Sequence, residues 1–83
     1  MPVIHTMSDT RNSYEEVITR GLDCIYERNI RGAILIKARI EHLIRVLAPM
    51  PKTLEVTKMI ASLFYMKRNL TILINLHYTL NTI

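Results

Sequence analysis

Three histidines and one cysteine are the side chains of this 83-residue sequence best suited to metal binding or nucleophilic chemistry. His5, His42 and His77 lie far apart and form neither an H-x-x-x-H nor an H-E-x-x-H pattern, the spacings that put two imidazoles on one face of a helix. Cys24 stands alone, which leaves no internal disulfide and no zinc-finger pairing, and sets a reducing, intracellular home as the expectation. Between Asp23 and Ile25, with Arg20 one turn away, Cys24 suits a small buried hydrophobe better than a reactive thiolate. His42 reads as a partly exposed helix residue and His77 as a boundary residue, while His5 sits in a stretch without partners. The only glycines, Gly21 and Gly32, cannot make a Gly-rich phosphate loop. The sequence therefore predicts a noncatalytic protein with no cofactor and no metal.

Charge carries more information. The net charge is +4, divided unevenly along the chain. Residues 1–27 hold two cations against five carboxylates, or −3, whereas residues 28–83 hold nine cations against two carboxylates, or +7. A basic body favours an anionic partner, either nucleic acid or an acidic peptide. A helix-turn-helix is the DNA-binding motif to weigh, because the turns are short. Its cations do not cluster as that motif requires: Arg28 and Arg31 sit at a helix start, Lys37 and Arg39 point different ways, and the would-be recognition face is rich in Ile and Leu.

The elements that must position these charges are helical. Thr53 comes after the breaker Pro51 and is a plausible N-cap for an amphipathic helix over Thr53 to Leu70, with Val56, Met59, Ile60, Leu63 and Phe64 on its core side. Lys67-Arg68-Asn69 reads as the end of that helix, two cations against the negative end of its dipole and Asn69 capping the next helix. Upstream, residues 1–9 read as a flexible tail, and residues 10–83 as one domain. A capping box of Asn12 with Glu15, or Ser13 with Glu16, starts a first helix near Ser13, whose stripe is Tyr14, Val17, Ile18, Gly21, Leu22 and Ile25. Gly21 either lets a neighbouring helix approach closely or is a tolerated weak spot. Asn29 caps a second helix, about Ile30 to Leu47, with Ala33, Ile36, Ile40, Leu43, Ile44 and Leu47 as its apolar face. Lys37, Glu41 and Arg45, spaced by four, are expected to pair on its solvated side. Ala48 to Pro51 breaks it, and Leu70 to about Leu80 forms a last helix.

With 49% hydrophobic residues drawn mainly from Ile, Leu, Met and Val, and only two glycines and three prolines for turns, the chain suits an all-α bundle and not a β sandwich or barrel. The longest charge-free run, from Asn69 to Ile83, is shorter than the roughly 20 residues a membrane span needs. Asn69-Leu70-Thr71 matches the glycosylation sequon, which matters only in a secreted protein, and no signal peptide precedes it.

The run Leu54-x-x-Thr57-x-Met59-Ile60, with Leu63 and then Met66-Lys67-Arg68, preceded by Leu43, Leu47 and the Pro49 to Pro51 break, resembles the transcription elongation factor TFIIS N-terminal domain. Within that superfamily it is most similar to the integrase-binding domain of LEDGF and the hepatoma-derived growth factor-related proteins. The resemblance is densest over Thr57 to Arg68 and extends more loosely from about Ile18 to Leu80. It implies a compact right-handed bundle of four to five helices, located in the nucleus, that acts as an adaptor for short disordered motifs of transcription and chromatin proteins, often acidic with an aromatic anchor. In that family two interhelical loops lie side by side and hold the ligand. Here they correspond to Glu27 to Ile30 and Lys67 to Leu70. The implied partner-binding set is Arg28, Asn29, Ile30, Arg31, Lys67, Arg68, Asn69 and Leu70, four cations beside two apolar side chains. Three features depart from the family. Arg28 or Asn29 replaces the ligand-holding acid of the first loop, and Asn69 or Leu70 replaces the aromatic of the second. The last helix, up to Ile83, is also shorter than the family's. The alternatives are a basic module that binds nucleic acid without sequence preference and a structural helical subunit that self-associates through the apolar excess of its second and last helices.

Overall fold

A computed structural model describes residues 7–81. It contains three α-helices: α1 (Met7–Glu27), α2 (Ile30–Leu47) and α3 (Leu54–Asn81). Each packs against the other two. The chain runs up α1, down α2 and up α3, joined by two short connections.

The buried positions explain this arrangement. On α2 they are Ala33, Ile36, Ile40, Leu43 and Leu47, and on α3 they are Val56, Met59, Leu63, Met66 and Leu70. Both sets advance in alternating steps of three and four, the spacing that keeps one seam facing its neighbours along antiparallel helices. On α1 the buried residues Thr10, Val17, Gly21 and Cys24 obey the same steps, with half-buried Tyr14 completing the series. Gly21 is needed for close approach: a Cβ there would come within 2.8 Å of the Met66 sulfur. Cys24 is buried in the core, as its neighbours in the sequence suggested.

All-α architecture is as expected, but there are three helices and not four to five. The expected break at Lys67-Arg68-Asn69 is absent, and the two helices placed on either side of it form the single 28-residue α3. The seam explains the continuity, since Leu63, Met66, Leu70 and the half-buried Leu73 cross this segment without a change of phase. Within this segment Thr71 donates its hydroxyl to the Lys67 carbonyl one turn back, at 2.8 Å, the i−4 bond that a threonine makes inside a helix. The first helix begins at Met7, not near Ser13. Both candidate capping boxes therefore lie inside α1, and Met7 to Asp9 form its first turn instead of tail. The remainder of the expected tail, with His5, lies outside the described residues. Phe64, expected in the core, is half exposed, because it stands one residue off the seam that Leu63 and Met66 occupy.

The connections are held by named groups. Thr53 caps α3 as expected, its hydroxyl accepting from the Val56 amide at 3.2 Å. Between α2 and α3, the Lys52 ammonium donates to the carbonyls of Leu47 (3.3 Å) and Met50 (2.9 Å) and also to that of Ala48. A lysine thereby satisfies carbonyls that the end of α2 leaves without helical partners. Lys37, Glu41 and Arg45 do not pair with one another. The ion pairs seen among the described residues join α1 to α3 (Arg11–Glu55, 2.6 Å), α1 to α2 (Glu16–Arg39, 3.3 Å) and one turn of α1 (Glu16–Arg20, 3.1 Å).

Candidate protein-docking surface

The eight residues singled out for partner binding fall into two groups with different local structures. Arg28 to Arg31 form the turn between α1 and α2 and the first residues of α2. Arg28 has φ of 55°, in the left-handed region. Its amide donates to the Ile25 carbonyl at 3.3 Å, and the Asn29 amide donates to the Cys24 carbonyl at 2.9 Å. This paired pattern closes the C-terminus of α1, and glycine is the usual residue at the left-handed position. An arginine there is strained by roughly 1 kcal/mol. Arg28→Gly is therefore expected to stabilise the fold by about 0.5–1 kcal/mol, read as a higher urea midpoint with an unchanged slope.

Asn29 does the capping work expected of it. Its side-chain oxygen accepts from the Gly32 amide at 3.0 Å. Space is tight, since a Cβ on Gly32 would come within 2.6 Å of the Asn29 amide nitrogen and 2.8 Å of the Cys24 sulfur. Ile30 is half-buried, which leaves Arg28 and Arg31 as the exposed cations of this turn.

The second group is not a loop. Lys67 to Leu70 occupy the interior of α3, and helical geometry sends their side chains in different directions. Leu70 is fully buried and faces the core, so it is removed from the candidate surface. Asn69 is half-buried, Lys67 is half-buried and Arg68 is exposed. Lys67 and Arg68 line a shallow groove of about 300 Å³ with Phe64, Thr71 and Ile72, all on α3. Phe64 and Ile72 are the apolar members and are each about half exposed, at 51% and 46%. Neither Lys67 nor Arg68 forms an ion pair among the described residues. Asn29 lines a separate hollow at the α1–α2 junction with Cys24, Glu27 and Gly32.

Sequence reasoning placed Lys67 and Arg68 at this surface but missed Phe64, Thr71 and Ile72. The signal that finds them is helical period, since Phe64, Arg68 and Ile72 recur at intervals of four and Lys67 and Thr71 do the same alongside. That period counts only if the helix is continuous.

Elsewhere the titratable groups with shifted ionisation belong to the ion pairs between helices and to the buried thiol. The Arg39 guanidinium, by hydrogen bond and charge, holds the Glu16 carboxyl below its ordinary range, with a smaller contribution from Arg20. Arg11 does the same to Glu55 and is itself raised by that partner. Burial pushes the Cys24 thiol up, with Glu27 and Asp23 adding to it, which keeps it in the unreactive protonated form. His42 is exposed, and the His77 ring meets Tyr78 edge to face with centroids 5.4 Å apart. Among the described residues no group of three or more His, Cys, Asp or Glu is placed to hold a metal ion. Among them, too, no helix is long and apolar enough to cross a membrane.

No family model, curated protein or solved structure matches the chain. The reading of the surface therefore rests on its own geometry.

Proposed function

We propose that this chain is a noncatalytic docking module that captures short, disordered, acidic segments carrying an apolar or aromatic anchor. The observation that carries the reading is the α3 groove, in which Lys67 and Arg68, neither of them joined to a carboxylate among the described residues, border the half-exposed Phe64 and Ile72. A carboxylate-bearing segment would gain two charge-assisted contacts there, and its apolar side chain would cover Phe64 and Ile72. The groove is built on a rigid helix, so little ordering of the module is needed on binding. Arg28 and Arg31, exposed on the α1–α2 turn, add positive potential that steers acidic segments toward the molecule.

The resemblance to the integrase-binding domain of the LEDGF-related proteins supports the same partner class and a nuclear setting among transcription and chromatin proteins. The proposed surface departs from the family's pair of loops, because its main part is a helix face. Ile30 and Asn69 have at most a peripheral role, and Asn29 acts through the cap it provides.

Titration with an acidic peptide containing phenylalanine tests this reading. Resonances of Phe64, Lys67, Arg68 and Ile72 are expected to shift together, with affinity falling as salt rises. Lys67→Glu combined with Arg68→Glu should weaken binding at least about tenfold, the loss of roughly 1.4 kcal/mol, without changing helix content. A duplex of unrelated sequence serves as the control. Tighter binding to the duplex than to the peptide, with a steep salt slope, would favour the nucleic-acid reading instead.

A further inference from the structure

The Lys67–Arg68 groove has a definite relief. Helical period sets Phe64, Arg68 and Ile72 in one row at steps of four, and Lys67 and Thr71 in the row beside it, and the two rows line the hollow of about 300 Å³. A furrow between two such rows is the surface into which a second helix lays a ridge of its own when helices pack. Along the first row a half-exposed apolar side chain stands at each end and a cation in the middle, about 6 Å between successive members. The backbone offers no further contact. Amides and carbonyls from residue 64 to residue 72 lie inside α3, where they bond one turn along the same helix, and the Thr71 hydroxyl already donates to the Lys67 carbonyl at 2.8 Å.

Building on the docking reading of this groove, we infer that the captured segment binds as a helix, presenting a ridge of apolar, acidic and apolar side chains at steps of four. Charge and shape select this occupant together. The carboxylate in the middle of the ridge meets Arg68 with Lys67 beside it, and the apolar ends, eight positions and about 12 Å apart, cover Phe64 and Ile72. An extended segment is the other conformation to weigh. Extended segments draw affinity from main-chain hydrogen bonds to a sheet edge, and the described residues contain no strand. Laid along α3, an extended chain would bring peptide groups against Phe64 and Ile72 with no backbone partner to replace the water they lose. A helix satisfies its own peptide groups and brings only side chains to the contact. The order apolar, acidic, apolar is the same in either direction, so spacing and not chain polarity is what the groove recognises. A segment that is disordered when free must fold to bind, so holding it helical beforehand strengthens the complex.

Peptides of equal length and charge, titrated into the whole chain, test the inference. The first carries phenylalanine and leucine eight positions apart with glutamate midway, on an alanine and glutamine background. The second carries the same three residues with the apolar pair four positions apart, a spacing that reaches about 13 Å only when extended. The third is the first with proline beside the glutamate, which breaks the helix. The first should bind at least about tenfold more tightly than the other two, shift the resonances of Phe64, Lys67, Arg68 and Ile72, and gain helical circular dichroism on binding. A side-chain cross-link that holds it helical, placed on the face away from the ridge, should tighten it further. Equal binding of the three, or tighter binding of the second, with the groove resonances shifting, overturns the helical conformation and leaves the docking reading standing. Binding by none of them overturns both, as does binding of the first that Lys67→Glu combined with Arg68→Glu leaves unchanged.

Discussion

Leu70→Ala is expected to destabilise the fold by about 2–5 kcal/mol, the range for truncating a fully buried leucine in a core that relaxes only partly. A domain of this size has a total stability on the order of 4–12 kcal/mol, so the variant should melt far below the wild type or fail to fold. The size of the effect comes from position. Leu70 is among the largest fully enclosed side chains and belongs to the seam formed with Val56, Met59, Leu63 and Met66. Leu76→Ala, on the same helix but 55% exposed, gives the matched control, and its stability should change by less than about 0.5 kcal/mol. Urea unfolding measures both. Equal, small effects at the two positions would place Leu70 at the surface, as a two-loop docking site needs, and would contradict the packing of α3.

Much of the fold was legible because its signals are local or strictly periodic. The steps of three and four from Ala33 to Leu47 identified α2 and its face. Asn29 and Thr53 were recognisable as caps because each precedes an apolar-periodic run, and both make the expected bond to an amide three residues on. Pro49 and Pro51 marked a true break. Two misreadings share one cause, which is that a local signal was given more weight than a longer period. Lys67-Arg68-Asn69 has the composition of a helix end, yet the seam runs through it from Leu63 to Leu73. At the N-terminus, Asn12 to Glu16 has the composition of a helix start, yet Thr10 is already buried on the α1 seam. A threonine at a core position leaves no apolar mark in the sequence, so the earlier start was hidden.

The docking surface was half legible for the same reason. Its cations were evident from charge alone, but which apolar residues stand beside them depends on whether the backbone is looped or helical. A loop would have made Leu70 the hydrophobic neighbour. A helix sends Leu70 to the core and brings Phe64 and Ile72 to Lys67 and Arg68 instead. The Lys52 contact with the end of α2 was not legible at all, because a lysine's reach to carbonyls on its own connection depends on how that connection folds back.

Asn69→Pro separates the two backbone readings by the sign and size of its effect. If Asn69 stood between two helices, proline would sit near the first turn of the second, where its fixed φ suits the helix and its missing donor is not needed, and stability would hardly change. Within a continuous α3, the amide of residue 69 donates to the carbonyl four residues back, at Tyr65, and proline both removes that bond and drives its ring into the same carbonyl. It also pushes Arg68 away from helical backbone. The expected cost is about 3 kcal/mol or more, a fall in melting temperature of roughly 12–24 °C for a domain of this length. The chain's own prolines at 49 and 51 show where its backbone does accept the residue, in the connection between α2 and α3. Binding should change together with stability. A kink at residue 69 divides the groove between Arg68 and Thr71, so any folded Asn69→Pro protein should lose affinity for an acidic peptide although Phe64, Lys67, Arg68 and Ile72 are all retained. Circular dichroism melting, then peptide titration of whatever remains folded, measures both effects. A variant with wild-type stability and wild-type affinity would return Lys67 to Leu70 to a loop.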